Sequence, residues 1–592
     1  MIANQLLLLL PLVLVTLSSS IGLANAGIPV PEEFFPLQLV DHFSAASETD
    51  SKTTDTEDSE ALFWTQRYYT YGKHFKGPGH PIFLILGGEG GISPQTGIFY
   101  PFVADHPAKN FGGFVLQPEH RFYGKSQPLR GRSNTKTKAK EKTKANSTSN
   151  ATVTEEDPRV KLFTSEQALH DAIVLLQEIR ADLGCSSSSS SSLYCPVVTV
   201  GGSYPGFLSA FARILFPDIV DMAYAASAPM GFYAQETDRF AYYNHITAVA
   251  EDTLPGCSNA VRSALLHVKD EIAQSQNIED LESVASEVGI CEGSIPDYVL
   301  EHDDNGFQPT TMSNELMMVV GYSFANDNMA SYPPGKDTRL YKTCQIFSSK
   351  DLSPTEKVRR FLTQRLHHQH QHQHQHDSRD APFASSSLRA LSPQPFSSSS
   401  LRAFLPQTQS SSTTSTNTAL ACWKMTDQLP TGPNATISGG DWSGDGTGAN
   451  GESWDFQTCT LLVEAIGFSE NDSMFPPRDW TLNWMGEHCQ QRFGVEPRPY
   501  ELVRRFRFGS GDLASTNTTR ILFTNGLKDG WSVSGIQTNL SDSLIALNFE
   551  NGAHHSDLSH LGPNPRDTPD IAEGYKTITR LFGEWLDEVY GT

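Results

Sequence analysis

Three segments of this 592-residue chain share one design. Each is a β-branched or apolar run ending in a turn that carries a polar side chain. They span residues 197–206 (VVTVGGSYPG), 521–531 (ILFTNGLKDGW) and 544–555 (LIALNFENGAHH). Short apolar runs bounded by glycine read as buried strands, so a Ser, an Asp and a His are predicted at three strand ends. Around Ser203, the small residues Gly201, Gly202 and Gly206 permit the crowded strand-to-helix turn that lifts a serine hydroxyl clear of a sheet. Pro205 stands where such turns often carry glycine. It is tolerated because the first helical turn makes no intrahelical bond through that N–H. A helix opening at Tyr204 aims its N–H at a developing oxyanion.

The chain order Ser…Asp…His is that of α/β-hydrolases and differs from the chymotrypsin and subtilisin orders. The expected fold class is therefore α/β, with a hydrolase core. Residues 81–86 and 112–117 read as further strands and 165–183 as a helix. Ile571, Tyr575, Ile578, Phe582, Trp585 and Val589 recur at steps of four and three, the stripe of an amphipathic C-terminal helix. The loop after Leu86 should supply a second oxyanion donor, with the Gly88 N–H first and the Glu89 N–H next. The interval between Ser203 and Asp529 exceeds what a core needs. It predicts an insertion over residues 231–500, with helix-like stretches at 259–274 and 279–288, between core segments 27–230 and 501–592.

Residues 6–17 are almost wholly apolar and precede Ala24-Asn25-Ala26, which predicts a signal peptide over 1–26. That run is too short for a good membrane span. Sequons at Asn146, Asn150, Asn434, Asn471, Asn517 and Asn539 suit glycosylation in a secretory path. The eight cysteines are even in number, as in an oxidised protein. Cys185 and Cys195 flank a poly-Ser run and could close a small loop. The net charge of −23 argues against nucleic acid or an anionic membrane as partner. Residues 133–157, 186–192 and 366–418 are low in apolar content and read as disordered insertions. The alternating histidines from His368 to His376 read as repeat expansion, since no carboxylate or cysteine completes a metal geometry. No metal or organic cofactor is implied.

Further blocks narrow the reading. Gly201-Gly202-Ser203-Tyr204 with Ala226-Ser227-Ala228-Pro229, Glu119-His120-Arg121-Phe122-Tyr123-Gly124, Trp454-Asp455-Phe456-Gln457-Thr458-Cys459 and Gly552-Ala553-His554-His555 resemble the family of lysosomal prolyl carboxypeptidase and dipeptidyl peptidase II. The resemblance runs from about residue 36 to 590. It implies Ser203 as nucleophile, Asp529 as acid and His554 as base, with His555 a hydrogen-bonded neighbour. It also implies bonded Cys459 and Cys489, a largely helical cap over the active site, and Trp531 in a compact apolar pocket suited to proline. Phe207 is either a second pocket wall or core. Glu89 is a candidate for holding a substrate amine. Glu119 and Arg121 read either as a buried structural ion pair near the site, the favoured reading, or as groups that meet the substrate. This chain has Gly-Glu-Gly-Gly after Leu86 where the family usually has Asn-Glu-Gly-Asp, and Leu461 where the family commonly has Glu. Both departures bear on substrate preference. The expected function is a serine exopeptidase, secreted or lysosomal/vacuolar, acting on peptide substrates at proline-containing bonds. A homodimer is a candidate assembly. An ester hydrolase and a non-catalytic secreted binding protein are the alternatives.

Overall fold

The computed structural model describes residues 27–44, 62–130, 157–300, 302–303, 306–307, 309–364, 422–427, 449–558 and 562–591. The signal segment, the 366–418 tract, most of 133–157 and the sequons at Asn146, Asn150 and Asn434 lie outside them. The chain divides into two compact units. The first comprises Met1–Ala151, Lys161–Gly231 and Phe506–Thr592. The second comprises Thr152–Val160 and Phe232–Arg505.

The first unit is a mixed α/β assembly built on one eight-stranded sheet. Its strands are β1 (Glu33–Leu39), β2 (Phe63–Tyr71), β3 (Ile82–Ile85), β4 (Phe114–Pro118), β5 (Val197–Gly202), β6 (Met222–Ala226), β7 (Ile521–Gly526) and β8 (Leu544–Phe549). Their spatial order is β1-β2-β4-β3-β5-β6-β7-β8. β1 and β2 pair antiparallel, as do β2 and β4; the remaining pairs are parallel. The chemistry of each strand follows its position. β3, β5, β6 and β7 are buried at every residue, and they read as the continuous apolar runs of covered parallel strands. At the edge, β1 carries Pro36 and a register irregularity between Phe35 and Gln38, devices that suit an edge strand.

Helices follow from capping and periodicity. α1 (Ser165–Asp182) begins where the Thr164 hydroxyl accepts the Gln167 N–H at 3.2 Å, satisfying one orphan donor of the first turn. α2 (Tyr204–Leu215) leaves directly from β5, with Pro205 in its first turn. α3 (Pro569–Tyr590) buries Ile571, Tyr575, Ile578, Phe582 and Trp585 and stops at Gly591 in the left-handed conformation; Val589 is half-buried.

The described part of the second unit has helices joined by long irregular stretches; its paired strands are a short hairpin setting His302 opposite Phe307, and isolated bridges join Ile290 to Trp423 and Phe468 to Arg478. Cys257–Cys344 joins the helices Cys257–Ala273 and Arg339–Phe347. Cys291–Cys422 and Cys459–Cys489 complete its disulfides. No described helix is long and apolar enough to cross a membrane.

One expectation about order fails. The serine run 186–192 is not a disordered insertion but an exposed, hydrogen-bonded turn. Cys185 and Cys195 are bonded across it, and the Ser186 N–H reaches the Leu193 carbonyl at 2.8 Å. A ten-residue covalent closure removes the entropy that the polar composition alone could not offset.

Candidate active site

Ser203 stands between β5 and α2 with φ 65° and ψ −132°. A non-glycine residue with positive φ is uncommon and marks a position that its surroundings over-determine. Those surroundings are visible. The Ser203 N–H donates to the Ala226 carbonyl at 2.9 Å, and its own carbonyl accepts from Gly206 at 2.8 Å and Phe207 at 3.1 Å. A Cβ on Gly201 would lie 2.0 Å from the Pro205 carbonyl oxygen, so the turn can be this tight only with glycine there. Gly88 approaches the same turn: a Cβ there would lie 2.6 Å from the Pro205 ring. The loop after β3 thus passes beside the start of α2, where Tyr204 begins the helix.

Asp529 and His554 follow the ends of β7 and β8, the two strands beyond β6 in the sheet. Asp529 is fully buried and caps a short 3-10 turn, Gly530–Ser534, accepting the Trp531 N–H on Oδ1 at 3.2 Å. Its other oxygen lies 2.6 Å from Nδ1 of His554. A carboxylate can only accept here, so Nδ1 carries the proton and Nε2 is left as the basic nitrogen. The two loops are laced together by Lys528 N–H to the Gly552 carbonyl at 2.9 Å and Leu527 N–H to the Phe549 carbonyl at 2.8 Å. Trp531 lies beside His554, ring centres 6.5 Å apart.

His555 is a different kind of residue. Its N–H donates to the Ser227 hydroxyl at 2.9 Å. Its ring fills the space left by the missing side chain of Gly202, where a Cβ would sit 2.8 Å away. Burial first, and the neighbouring His554 second, hold its imidazole well below the usual histidine range. It stays neutral as packing between Gly202 and the His554 loop. Two residues on, burial pushes the Asp557 carboxyl up, and it accepts the Tyr224 hydroxyl at 2.5 Å.

Around the turn lies a polar network that sequence reading did not find. His120 Nδ1 donates to the Arg121 carbonyl at 2.7 Å, so Nε2 accepts from the Tyr204 hydroxyl at 3.1 Å. Ser165 reaches the same hydroxyl at 3.2 Å. Burial pushes His120 down to about 4. The Tyr204 side chain is thereby fixed under the helix start. The only sequence signal was the presence of His120 in a motif already noted.

One expectation is corrected, and the two alternatives for Phe207 are narrowed to one. Glu119 and Arg121 are both buried and both ion-paired, but not with each other. Glu119 pairs with Arg67, with Nε at 3.2 Å, and accepts the N–H groups of Ile92, Lys125 and Ser126. Arg121 makes a two-pronged contact with Asp171, both bonds 2.7 Å. Both residues lie in the turn that follows β4, and each meets the partner that a separate element brings to it: Arg67 from β2 for Glu119, Asp171 from α1 for Arg121. Phe207 is fully buried, stacked on Phe211 at 5.2 Å and edge-on to Phe508 at 5.1 Å. It is core packing rather than a pocket wall, because it lies on the inward face of α2. Glu89 is half-buried, and Asn471, Asn517 and Asn539 are exposed.

One cluster has metal-like composition. Asp455, Cys459 and His488 of the second unit lie together. Cys459 is held in the bond to Cys489, and Asp455 is paired with His488 at 3.1 Å and with Arg492. These residues satisfy one another as an ion-pair network behind a disulfide, so Cys459 is closed as a ligand.

A serine on a strained strand-to-helix turn, with an Asp–His hydrogen bond at two further ends of the same sheet, is the arrangement of a serine-type hydrolase. Comparison with known proteins makes the class more specific, a serine-type peptidase. The chain belongs to the serine carboxypeptidase S28 family, which matches residues 54–148, 146–389 and 407–578. Similar proteins include the lysosomal Pro-X carboxypeptidase of Mus musculus, 24% identical over 93% of this chain and 89% of that one. The thymus-specific serine protease of Mus musculus is 24% identical over 97% and 91%. The prolyl carboxy peptidase like protein 5 of Caenorhabditis elegans is 26% identical over 88% and 86%.

Proposed function

We propose that this peptidase removes residues from a peptide end at proline-containing bonds, with Ser203, His554 and Asp529 as its catalytic triad. The reading rests above all on the 2.6 Å contact of His554 Nδ1 with buried Asp529, beyond the ends of β7 and β8 in the same sheet that carries the Ser203 turn. The first unit then serves as an α/β-hydrolase core and the second as its cap. Ser203 Oγ attacks the scissile carbonyl carbon while its proton passes to His554 Nε2. Asp529 stabilises the imidazolium so formed. The Tyr204 and Gly88 N–H groups hold the oxyanion. Collapse breaks the C–N bond, and His554 returns the proton to the departing amine. Water, activated by the same histidine, then releases the acyl group. Trp531, beside His554, supplies a flat apolar wall for a pyrrolidine ring, and Glu89 is the candidate for a substrate amine. The signal-like leader and exposed sequons support action in the lysosome or outside the cell.

A fluorophosphonate probe tests the chemistry. Wild type is labelled on Ser203 and Ser203→Ala is not; equal labelling of both variants refutes the assignment. A panel of proline-containing peptides with free or blocked ends then fixes the terminus. Cleavage of simple esters with no peptide turnover would favour the esterase reading.

A further inference from the structure

The N–H groups at the end of β5 raise a question of partners. On its β3 side, β5 is paired up to Val200, whose carbonyl accepts the Leu86 N–H at 3.0 Å. Beyond that point β3 has ended, and the next inward amide is that of Gly202, the residue before Ser203. A buried amide needs an acceptor. Here the acceptor is a side chain from a separate segment: the Gly202 N–H donates to the Tyr100 hydroxyl oxygen at 2.9 Å. Tyr100 is almost fully buried. Its ring meets His555 edge-on, centres 5.9 Å apart, and His555 is the ring that fills the space beside Gly202.

Tyr100, Gly202 and His555 therefore form a closed three-way contact. Two of its members are the immediate chain neighbours of Ser203 and His554. We infer that Tyr100 is a positioning residue, whose hydroxyl continues the β5 ladder and whose ring backs His555, so that the serine turn and the histidine loop are held in one register. This inference rests on the triad assignment above. It assigns Tyr100 no contact with substrate. Its hydroxyl stays protonated, because burial raises it far above the ordinary tyrosine range.

Positioning of this kind acts on the rate of attack rather than on substrate affinity, since small misplacements of reacting groups cost large factors in rate. Tyr100→Phe keeps the ring against His555 and removes the acceptor. We expect kcat to fall on the order of tenfold or more, KM to stay within about twofold, and the melting temperature to move by only a few degrees. The second-order rate of Ser203 phosphonylation should fall with kcat, because it needs the same alignment but no peptide site. Amide hydrogen exchange at Gly202 should speed up, reporting the lost bond directly. Tyr100→Trp, which offers a donor but no acceptor, should show the same kcat loss. The inference is overturned if folded Tyr100→Phe retains wild-type kcat and probe rate. It is equally overturned if both variants lose kcat only in proportion to folded fraction, which would make the hydroxyl purely structural. Labelling of wild type on Ser203 is measured first; its absence would refute the triad and leave the Gly202 exchange result to stand alone.

Discussion

His120 shows how much a single buried residue can carry. It must remain neutral to accept from Tyr204, and burial holds it near 4. An unfolded chain protonates the same imidazole near 6.5. Between those values the unfolded state binds more protons, so this residue's contribution to stability falls as pH falls from about 6.5 to 4. At pH 5 the cost is on the order of 2 kcal/mol. Urea unfolding of wild type and His120→Gln at pH 7 and pH 5 checks this. The wild type should lose more stability over that interval than the variant, and parallel losses would place the pH dependence elsewhere. The same residue marks a limit of sequence reading. The strands that precede Ser203, Asp529 and His554 were legible because each is an apolar run, a local pattern; the choice of His554 over His555 came from the resemblance. The partners that fix these residues were not legible, because Tyr100 and Gly202, or His120 and Tyr204, are far apart in sequence and meet only through the sheet. The composition of a motif shows that Glu119 and Arg121 are buried; it cannot say with whom they pair.

Among the elements, the join between α1 and the N-terminal strand is rich in buried polar contacts. Asp171 on α1 accepts two bonds from Arg121 and approaches His42 Nε2 at 2.7 Å. The Arg121 guanidinium also donates to the carbonyls of Leu39, Val40 and Leu162. Gln38 donates to the Asp171 carbonyl at 2.6 Å, and the His42 N–H to Gln167 at 3.0 Å. The end of β1 is thus tied to α1 through one buried carboxylate. Asp171→Asn keeps the shape but leaves the guanidinium without its counter-charge. Breaking a buried pair in this way costs about 3–5 kcal/mol, read as a loss of unfolding free energy in denaturant. A loss below about 1 kcal/mol would mean the arginine regains water. The central strands were readable, since buried parallel strands are unbroken apolar runs. So were α1 and α3, whose stripes have helical period. Helices expected at 259–274 and 279–288 fall at Cys257–Ala273 and Ile278–Glu287. The edge pair β1–β2 escaped notice, because Pro36 and the irregular register disturb the alternation that identifies an exposed strand.

At the scale of the whole chain, covalent cross-links are divided unequally between the two units. The first unit has one disulfide among its described residues, Cys185–Cys195, with a separation of 10. The second has three, with separations of 87, 131 and 30. In the chain-entropy account, closing the two longest loops stabilises by about 4.5–5 kcal/mol each and the 30-residue loop by about 3.6, against about 2.7 for a ten-residue loop. The first unit draws its stability from an eight-stranded sheet whose central strands are wholly buried. The second is a set of helices, and the segment around Cys422 is attached to it by that disulfide and by Trp423 bonds to Gly289 and Cys291 at 2.8 Å. Reduction should therefore weaken the second unit far more than the first. In a thiol reductant, thermal unfolding should split into two transitions, and limited proteolysis between them should cut within Phe232–Arg505 first. The proposed triad lies wholly in the first unit. Between the two transitions, Ser203 should still react with a fluorophosphonate, while turnover of peptides should be lost with the proposed cap. A single shared transition, or first cuts within the sheet unit, would show that the two parts fold as one and that the disulfides are not what holds the second together.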